Sequence, residues 1–476
     1  MWPPGDALAG LTIVNAEIAG RGPLDLRIVD GLVHALGPKL ARGSDDSVID
    51  AAGAAVLPGL HDHHLHLFAL AAADASALCG PPAVENAGTL RAALTQGIPG
   101  EWVRGVGYHA SVAGDLDRRT LDTLVADRPV RIQHRSGMLW ILNSVAVERL
   151  GLDDADLPGV ERDEDGRPTG RLFRLDGWLR TRLGEASLPG LRAVGRRLAS
   201  FGVTGVTDAT PGNGPDELRA FEAALDAGDL PQRLLVMGSA ALPESQHPRV
   251  RRGPVKVLLD EHGLPALEEL GAVIAAAHRS GRVVAVHCVT RATLVFAVTA
   301  FAEAGADRGD RIEHASVAPP PVLELLADLP LTVVTQPTFV VERGDAYLRD
   351  VPVDERPWLY RGRGFLDAGI PLAAGSDAPF GDPNPWAAMQ AAVDRQTRGG
   401  AVLAPDEGLT PEEALALFST PLDAPADAPR RIAVDAPADL IVLDRPWAEA
   451  RRALAEVEVR ATICGGRVIE NDAACP

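Results

Sequence analysis

Lysine is nearly missing from this chain of 476 residues. Lys39 and Lys256 are its only two lysines, and every other residue in its total of 46 lysines and arginines is an arginine. Cysteine is also rare, and the four cysteines have neither close pairing nor the spacing of a zinc finger. A disulfide framework and a structural zinc site are therefore not indicated, and a reducing, cytoplasmic location is expected.

Long hydrophobic runs are absent as well. No stretch approaches the roughly 18 uninterrupted apolar residues of a membrane-spanning helix, and the first ten residues lack the regions of a signal peptide. The formal net charge of −19 opposes binding of nucleic acid, whose phosphates are neutralised by lysine and arginine. We therefore expect a small-molecule substrate and neither a nucleic acid nor a membrane as partner. A homo-oligomer is compatible with the sequence.

Short strand-like segments occupy both ends of the chain. Between them, apolar runs such as VRIQH, GVTGVTDA, PVKVLLD, RVVAVHC and RIEHAS alternate with helical stretches, for example residues 267–281. Such alternation predicts a parallel sheet. A barrel and a doubly wound open sheet would give the same pattern.

Polar side chains that can bind a metal stand in or just after several of these runs. His64 and His66 are two residues apart, so on a strand both point to one face, where two imidazoles can hold one ion. Their neighbours His61 and His63 leave the register open, and a polar loop with incidental histidines is the alternative. Three further candidates stand near the carboxyl ends of later runs, the end that carries catalysis in parallel barrels. These are His287, His314 and Asp377.

Lys256 lies inside the apolar run PVKVLLD. A lysine in a strand that is buried on both faces is unfavourable, because burial disfavours the ammonium ion and lowers its pKa. A neutral amine of this kind can be modified by carbon dioxide. The alternative is a side chain that reaches solvent at an edge of the sheet. The nearby histidines favour the first interpretation.

Together these residues resemble the metal ligands of the amidohydrolase superfamily. The motifs VLPGLHDHHLHL, VKVLLD, VAVHC, RIEHAS, TQP, AAGSDAP and ADLIVLD span nearly the whole chain and look most like the amidohydrolase family 3 branch, which includes N-substituted formamide deformylases. The resemblance implies six metal ligands, namely His64, His66, Lys256, His287, His314 and Asp377. The first two histidines would bind the more buried of two divalent ions, with zinc preferred, and the later two would hold the second ion. Carboxylated Lys256 would bridge the ions, and Asp377 would also be the general base.

The resemblance also implies the architecture. It predicts an α/β fold with a (β/α)8 TIM-like barrel over residues 56–430 and an active-site insertion around residues 70–200. Residues 1–55 and 431–476 would form a small β-sandwich-like domain from both termini. Within the insertion, the segment 118–152 offers four candidate pocket residues, although packing inside the insertion explains them equally well. These are Gln133, His134, Trp140 and Asn143.

The expected reaction is hydrolysis of a non-peptide C–N bond, of amide or formamide type, by metal-activated hydroxide. The short EHGLPALEEL loop and Arg291 depart from the branch near the expected substrate site, so the resemblance does not carry the substrate. One alternative is a mononuclear deaminase-like site in which Lys256 is structural, and another is an ester or lactone hydrolase. A non-catalytic metal-binding scaffold is a third, and the retention of every candidate ligand argues against it.

Overall fold

A computed structural model gives the fold over residues 10–81, 83–95, 101–155, 157–184 and 188–469. The chain divides into two units. The larger one comprises residues 1–67 and 191–476, and the smaller one comprises residues 68–190. Among the described residues, no helix is long and apolar enough to cross a membrane.

A sheet of eight parallel strands forms the centre of the larger unit, and the order of strands in the sheet is their order in the chain. The strands are β1 (Leu60–Leu65), β2 (Val203–Asp208), β3 (Arg233–Gly238), β4 (Val250–Leu258), β5 (Val284–Cys288), β6 (Arg311–His314), β7 (Thr332–Thr335) and β8 (Leu372–Ala374). The segment after β8 returns to β1, where the backbone N–H of Asp377 donates to the carbonyl of His64 at 2.7 Å. Ser376 also donates to the buried Asp62 carboxylate, through its backbone N–H at 3.1 Å and its hydroxyl at 2.6 Å. The predicted TIM-like barrel is confirmed.

Helices pack around the barrel. Their bounds are Arg192–Ser200, Pro215–Asp226, Leu267–Arg279, Arg291–Ala304, Pro320–Ala327, Thr338–Asp350, Arg363–Asp367, Pro385–Asp394, Pro411–Leu417 and Trp447–Ala450, with 3-10 turns at Glu261–Gly263, Arg356–Trp358, Pro405–Glu407 and Leu454–Glu456. A further helix, Leu67–Asp74, follows β1 and lies almost wholly in the smaller unit. The helix predicted over residues 267–281 is confirmed and ends at Arg279, shortly before Gly281 with a φ of +71°. That left-handed backbone favours glycine and stops the helix.

Alternation along β4 and β5 separates an outer from an inner face. Val255 and Val257 of β4 pack into the core shared with the helices, as do Val284, Val286 and Cys288 of β5. Successive side chains of a strand point to opposite faces. The residues between them, Lys256 on β4 and His287 on β5, therefore face the barrel interior.

Two four-stranded sheets at the chain ends share one apolar core, to which Leu26 of the first sheet and Ile463 of the second both belong. The first sheet contains Leu11–Ile18, Arg21–Val29, Leu32–Gly37 and Ser47–Asp50; the second contains Val56–Pro58, Leu440–Leu443, Val459–Cys464 and Arg467–Ile469. The expected small β domain built from both termini is confirmed.

The smaller unit holds a mixed six-stranded sheet. In sheet order its strands are Val160–Arg162, Pro168–Phe173, Leu139–Leu142, Val130–His134, Val103–Tyr108 and Ala77–Leu78, and its helices are Ala87–Thr95, Ala110–Ala113, Arg118–Leu124, Ser144–Leu150 and Asp176–Arg182. VRIQH, which the alternation placed with the strands of the main parallel sheet, is the strand Val130–His134 here. It pairs in parallel on one side and antiparallel on the other. The grouping by alternation was wrong, because an apolar run of five residues does not reveal which sheet it joins, whereas the family resemblance had placed this segment in the insertion around residues 70–200.

Candidate metal centre and active site

The four histidines of β1 and its extension fall into two pairs on opposite faces. His61 Nδ1 lies 2.9 Å from the carbonyl oxygen of Thr420, and His63 Nε2 lies 2.9 Å from the hydroxyl of the same residue. Gly205 of β2 leaves room for this pair, since a Cβ there would lie 2.6 Å from His61 Cδ2. His61 and His63 are thus held away from the other two histidines of the motif.

His64 and His66 meet Asp377 on the other face. His64 Nε2 lies 3.5 Å and His66 Nε2 3.2 Å from Asp377 Oδ1. Phe380 packs edge-on against the His66 ring, with ring centroids 5.6 Å apart. The sequence left open which of the four histidines share a face. In the structure, His64 and His66 share the face that contacts Asp377.

His314 reaches this region because its backbone breaks the alternation of β6. Ile312 packs in the outer core, so a regular strand would direct His314 outward as well. Instead His314 has a φ of +72°, and its ring centroid lies 4.8 Å from that of His64 and 4.4 Å from that of His287. Asp377 has a φ of +55°. Left-handed residues other than glycine cost about 1–3 kcal/mol and cluster at functional sites.

An oxygen atom contacts Nδ1 of three of these histidines. The Thr210 hydroxyl lies 2.9 Å from His66 Nδ1, the Gln336 amide oxygen lies 2.6 Å from His314 Nδ1, and the Glu313 carboxylate bonds to His64 Nδ1. A carboxylate only accepts hydrogen bonds, so His64 Nδ1 carries the proton and the lone pair of its Nε2 is free for a metal. His314 Nε2 is buried and has no hydrogen-bond partner among the described residues.

These three oxygen contacts of the histidines, from Thr210, Gln336 and Glu313, were missed by the sequence reasoning. Arg311 and Glu313, two charged residues in the short strand RIEH, were the one available signal. Thr210 and Gln336 carry no local signal, because only the barrel closure brings them next to the histidines.

Lys256 is 6% exposed on the inner face of β4, and its Nζ has no hydrogen-bond partner in the described part of the chain. Burial lowers the pKa of this ammonium group, although the Glu313 carboxylate opposes the change. Burial would raise the pKa of Glu313, but the guanidinium of Arg311, with Nε 2.8 Å from Oε1, holds that pKa below its usual range. The barrel interior thus contains an ionised carboxylate and an amine whose pKa is lowered by burial.

The protonation states of the other groups suit a metal. Burial lowers the pKa of His64 and His287 well below the usual range and that of His314 to about 3. Burial alone would raise the pKa of Asp377, but the hydrogen bond with His66 and the neighbouring His64 and His314 together lower it. Neutral imidazoles and an ionised carboxylate are the forms that bind a divalent cation.

The donor set fits such an ion. One donor atom from each of His64, His66 and Asp377 lies within 4.8 Å of the other two. Donors about 2.0–2.1 Å from a tetrahedral ion lie about 3.4 Å apart, which agrees with the observed 3.2 and 3.5 Å to Asp377 Oδ1. The predicted ligands Lys256, His287 and His314 lie beside this group and outside it, and their roles as ligands stay predictions.

Comparison with known proteins gives the family of the chain. The amidohydrolase family matches residues 47–470. The chain belongs to this amidohydrolase family. The enzyme is therefore a metal-dependent hydrolase that acts on C–N bonds.

Individual relatives of this amidohydrolase share about a quarter of its residues. The N-substituted formamide deformylase of Arthrobacter pascens is 27% identical over 90% of each chain. An uncharacterized metal-dependent hydrolase from Pyrococcus furiosus has a similar structure, with a TM-score of 0.71 and 24% identity over 91% of this chain and 98% of that one. Its counterpart from Pyrococcus horikoshii gives 0.72 and 22% over 92% and 98%. The structural likeness establishes the fold alone.

The four candidate pocket residues of the smaller unit have different surroundings. Trp140 Nε1 donates to Asp176 at 2.8 Å, Gln133 donates to the carbonyl of Gly137 at 3.2 Å, and Asn143 caps the helix Ser144–Leu150. Each of these three side chains is hydrogen-bonded within the unit, and their role as pocket residues stays a prediction. His134 lines a pocket of about 230 Å³, and burial lowers its pKa to about 4.

Proposed function

We propose that this amidohydrolase cleaves a non-peptide amide of a small molecule, most specifically an N-substituted formamide. The observation that carries the proposal is the convergence of His64, His66 and Asp377 at one end of the barrel, with His64 Nδ1 held by Glu313. The formamide class is supported by the deformylase relative, which is 27% identical. We further propose zinc as the metal, since imidazole and carboxylate ligands suit it.

Lys256 is proposed to become a carbamate that binds two ions, with His287 and His314 holding the second. An uncharged amine adds to carbon dioxide and releases one proton, which gives a carbamate with two ligand oxygens. Burial of Nζ and its lack of a partner among the described residues support this step.

In the proposed reaction a bound ion would polarise the carbonyl group and lower the pKa of water. Asp377, ionised at neutral pH, takes a proton from the attacking water and delivers it to the leaving nitrogen as the C–N bond breaks. Water supplies the new oxygen of the acyl carbon, so a formamide yields formate and an amine. Thr210, Gln336 and Glu313 keep the imidazoles oriented during turnover.

The test is turnover by zinc-loaded enzyme on a panel of N-alkyl formamides, acyl-amino acids, cyclic amides and esters, followed through amine or proton release. Asp377→Asn removes the base and is expected to reduce kcat by about 10²–10⁴-fold, with the metal content measured alongside. Asp328→Asn, at an exposed carboxylate, is the matched control. Turnover confined to esters would replace the formamide assignment with an ester hydrolase. Release of ammonia by an enzyme with one ion per chain would replace it with a deaminase. Normal turnover by Asp377→Asn would refute the assigned base.

A further inference from the structure

We infer that the nitrogen substituent of the substrate is an uncharged apolar group that binds to Leu258 and Val289, which we name the apolar ledge. The inference rests on the proposed function and adds the chemistry of the substituent. It starts from two apolar side chains that remain exposed at the carboxyl ends of β4 and β5, beside the predicted ligands.

The position of the ledge follows from the strands. Leu258 is two residues beyond Lys256 on β4, and its neighbours Val257 and Leu259 pack in the outer core. Leu258 therefore lies on the same inner face as Lys256. It is also the register partner of His287 on β5. Val289 directly follows β5, in the position that continues the face of His287.

The exposure of the ledge is unusual for its place. Leu258 is 56% and Val289 is 39% exposed, although the residues below them on the same face are buried or half-buried. A single exposed leucine carries little information. Here two apolar residues lie at the catalytic end of the barrel, one at the end of β4 and the other directly after β5, each two residues beyond Lys256 or His287. We infer that they form a surface that a bound substrate would cover.

The charged groups near the ledge argue against an anionic substituent. Two carboxylate residues follow Leu258 in the chain: Asp260, which accepts from the backbone N–H of His262 at 3.2 Å, and Glu261. The cation Arg291 is directed to Glu355, with Nη1 2.9 Å from the carboxylate. A carboxylate on the substituent would meet repulsion here without a free cation among these groups. The acyl side of a formamide is only a hydrogen atom, so the bulk that covers the ledge must be on nitrogen.

The experiment measures kcat/KM for N-methyl, N-propyl, N-butyl and N-hexyl formamide, and for anionic and cationic analogues of the hexyl compound that end in a carboxylate or an ammonium group. Burial of apolar surface gives about a fourfold gain in kcat/KM for each added methylene until the ledge is covered. The neutral compound should be preferred over both charged analogues. Leu258→Ala and Val289→Ala should each flatten the chain-length dependence. Leu325→Ala, at a leucine that is 47% exposed on the helix Pro320–Ala327, is the matched control and should retain it.

The outcomes separate the two claims. The ledge is overturned, and the proposed function left intact, if the unmodified enzyme turns over formamides at a rate that is independent of chain length. The same holds if Leu258→Ala and the unmodified enzyme show equal dependence on chain length. A preference for the carboxylate or ammonium analogue also overturns it. No turnover of any formamide overturns both claims. Binding of hexylamine, the expected product, gives a readout without turnover and should weaken in Leu258→Ala while the unfolding temperature of the variant is unchanged.

Discussion

Glu313→Gln should weaken both metal binding and folding, because the Glu313 carboxylate contributes to both. Its carboxylate bonds to His64 Nδ1 and pairs with Arg311, whose Nε lies 2.8 Å from Oε1, and both charged side chains are at most 1% exposed. A glutamine keeps the shape but has one accepting oxygen. That oxygen can serve His64 or Arg311, and the amide NH₂ then faces the other donor.

The expected magnitudes differ for the two effects. Loss of an acceptor behind a ligating histidine typically weakens metal affinity 10–100-fold, or about 1.4–2.7 kcal/mol. Loss of one partner of a buried ion pair typically costs about 3–5 kcal/mol of folding free energy. We expect the lower part of that range, since Arg311 Nη2 keeps its hydrogen bond to the carbonyl of His63 at 2.7 Å.

The assay is competition for zinc between metal-free enzyme and a chelator of known affinity, together with urea unfolding of the metal-free protein. Glu407→Gln is the matched control, because Glu407 is also buried and paired with an arginine, Arg361, at 2.7 Å, but lies outside the candidate ligand set. Both variants should lose stability, and only Glu313→Gln should lose zinc affinity. Equal zinc affinity in Glu313→Gln and the unmodified enzyme would refute the orienting role of the carboxylate.

Two further predictions concern buried titratable groups. Lys256→Ala should bind one ion where the unmodified enzyme binds two, measured by elemental analysis after loading in the presence of bicarbonate; two ions in the variant would exclude a bridging carbamate. Burial raises the pKa of Tyr108 to about 12 and that of Tyr360 well above its usual value. Because the folded protein holds these protons more tightly than the unfolded chain, the stability they contribute is complete below pH 10 and is lost as the pH rises further. The measurement is phenolate absorbance during an alkaline titration. Tyr108→Phe and Tyr360→Phe should each remove only absorbance that develops above about pH 11. If either variant removes absorbance that develops near pH 10, the burial argument is contradicted.

The sequence was informative where local chemistry determines the structure. The spacing of His64 and His66 places both on one face of a strand, and PVKVLLD marks Lys256 as a polar residue in an apolar run. The approach of His314 was not derivable from strand periodicity, because it depends on a left-handed backbone at a residue other than glycine. Gln336 and Thr210 act only after β7 and β2 come next to their histidines, and that contact is a property of the closed barrel.

The same residues that prepare the site also hold the barrel together. Asp62 joins β1 to the segment after β8 through Ser376, and Glu313 joins β6 to β1 through His64. The Nδ1 side of His64 is therefore fixed by the fold, independently of any ion on its Nε2 side. A site whose donors are fixed by the scaffold loses little conformational freedom when the metal binds. The two buried charges on β6 therefore contribute to orientation at the catalytic end, and a hydrophobic pair of similar volume could not supply it.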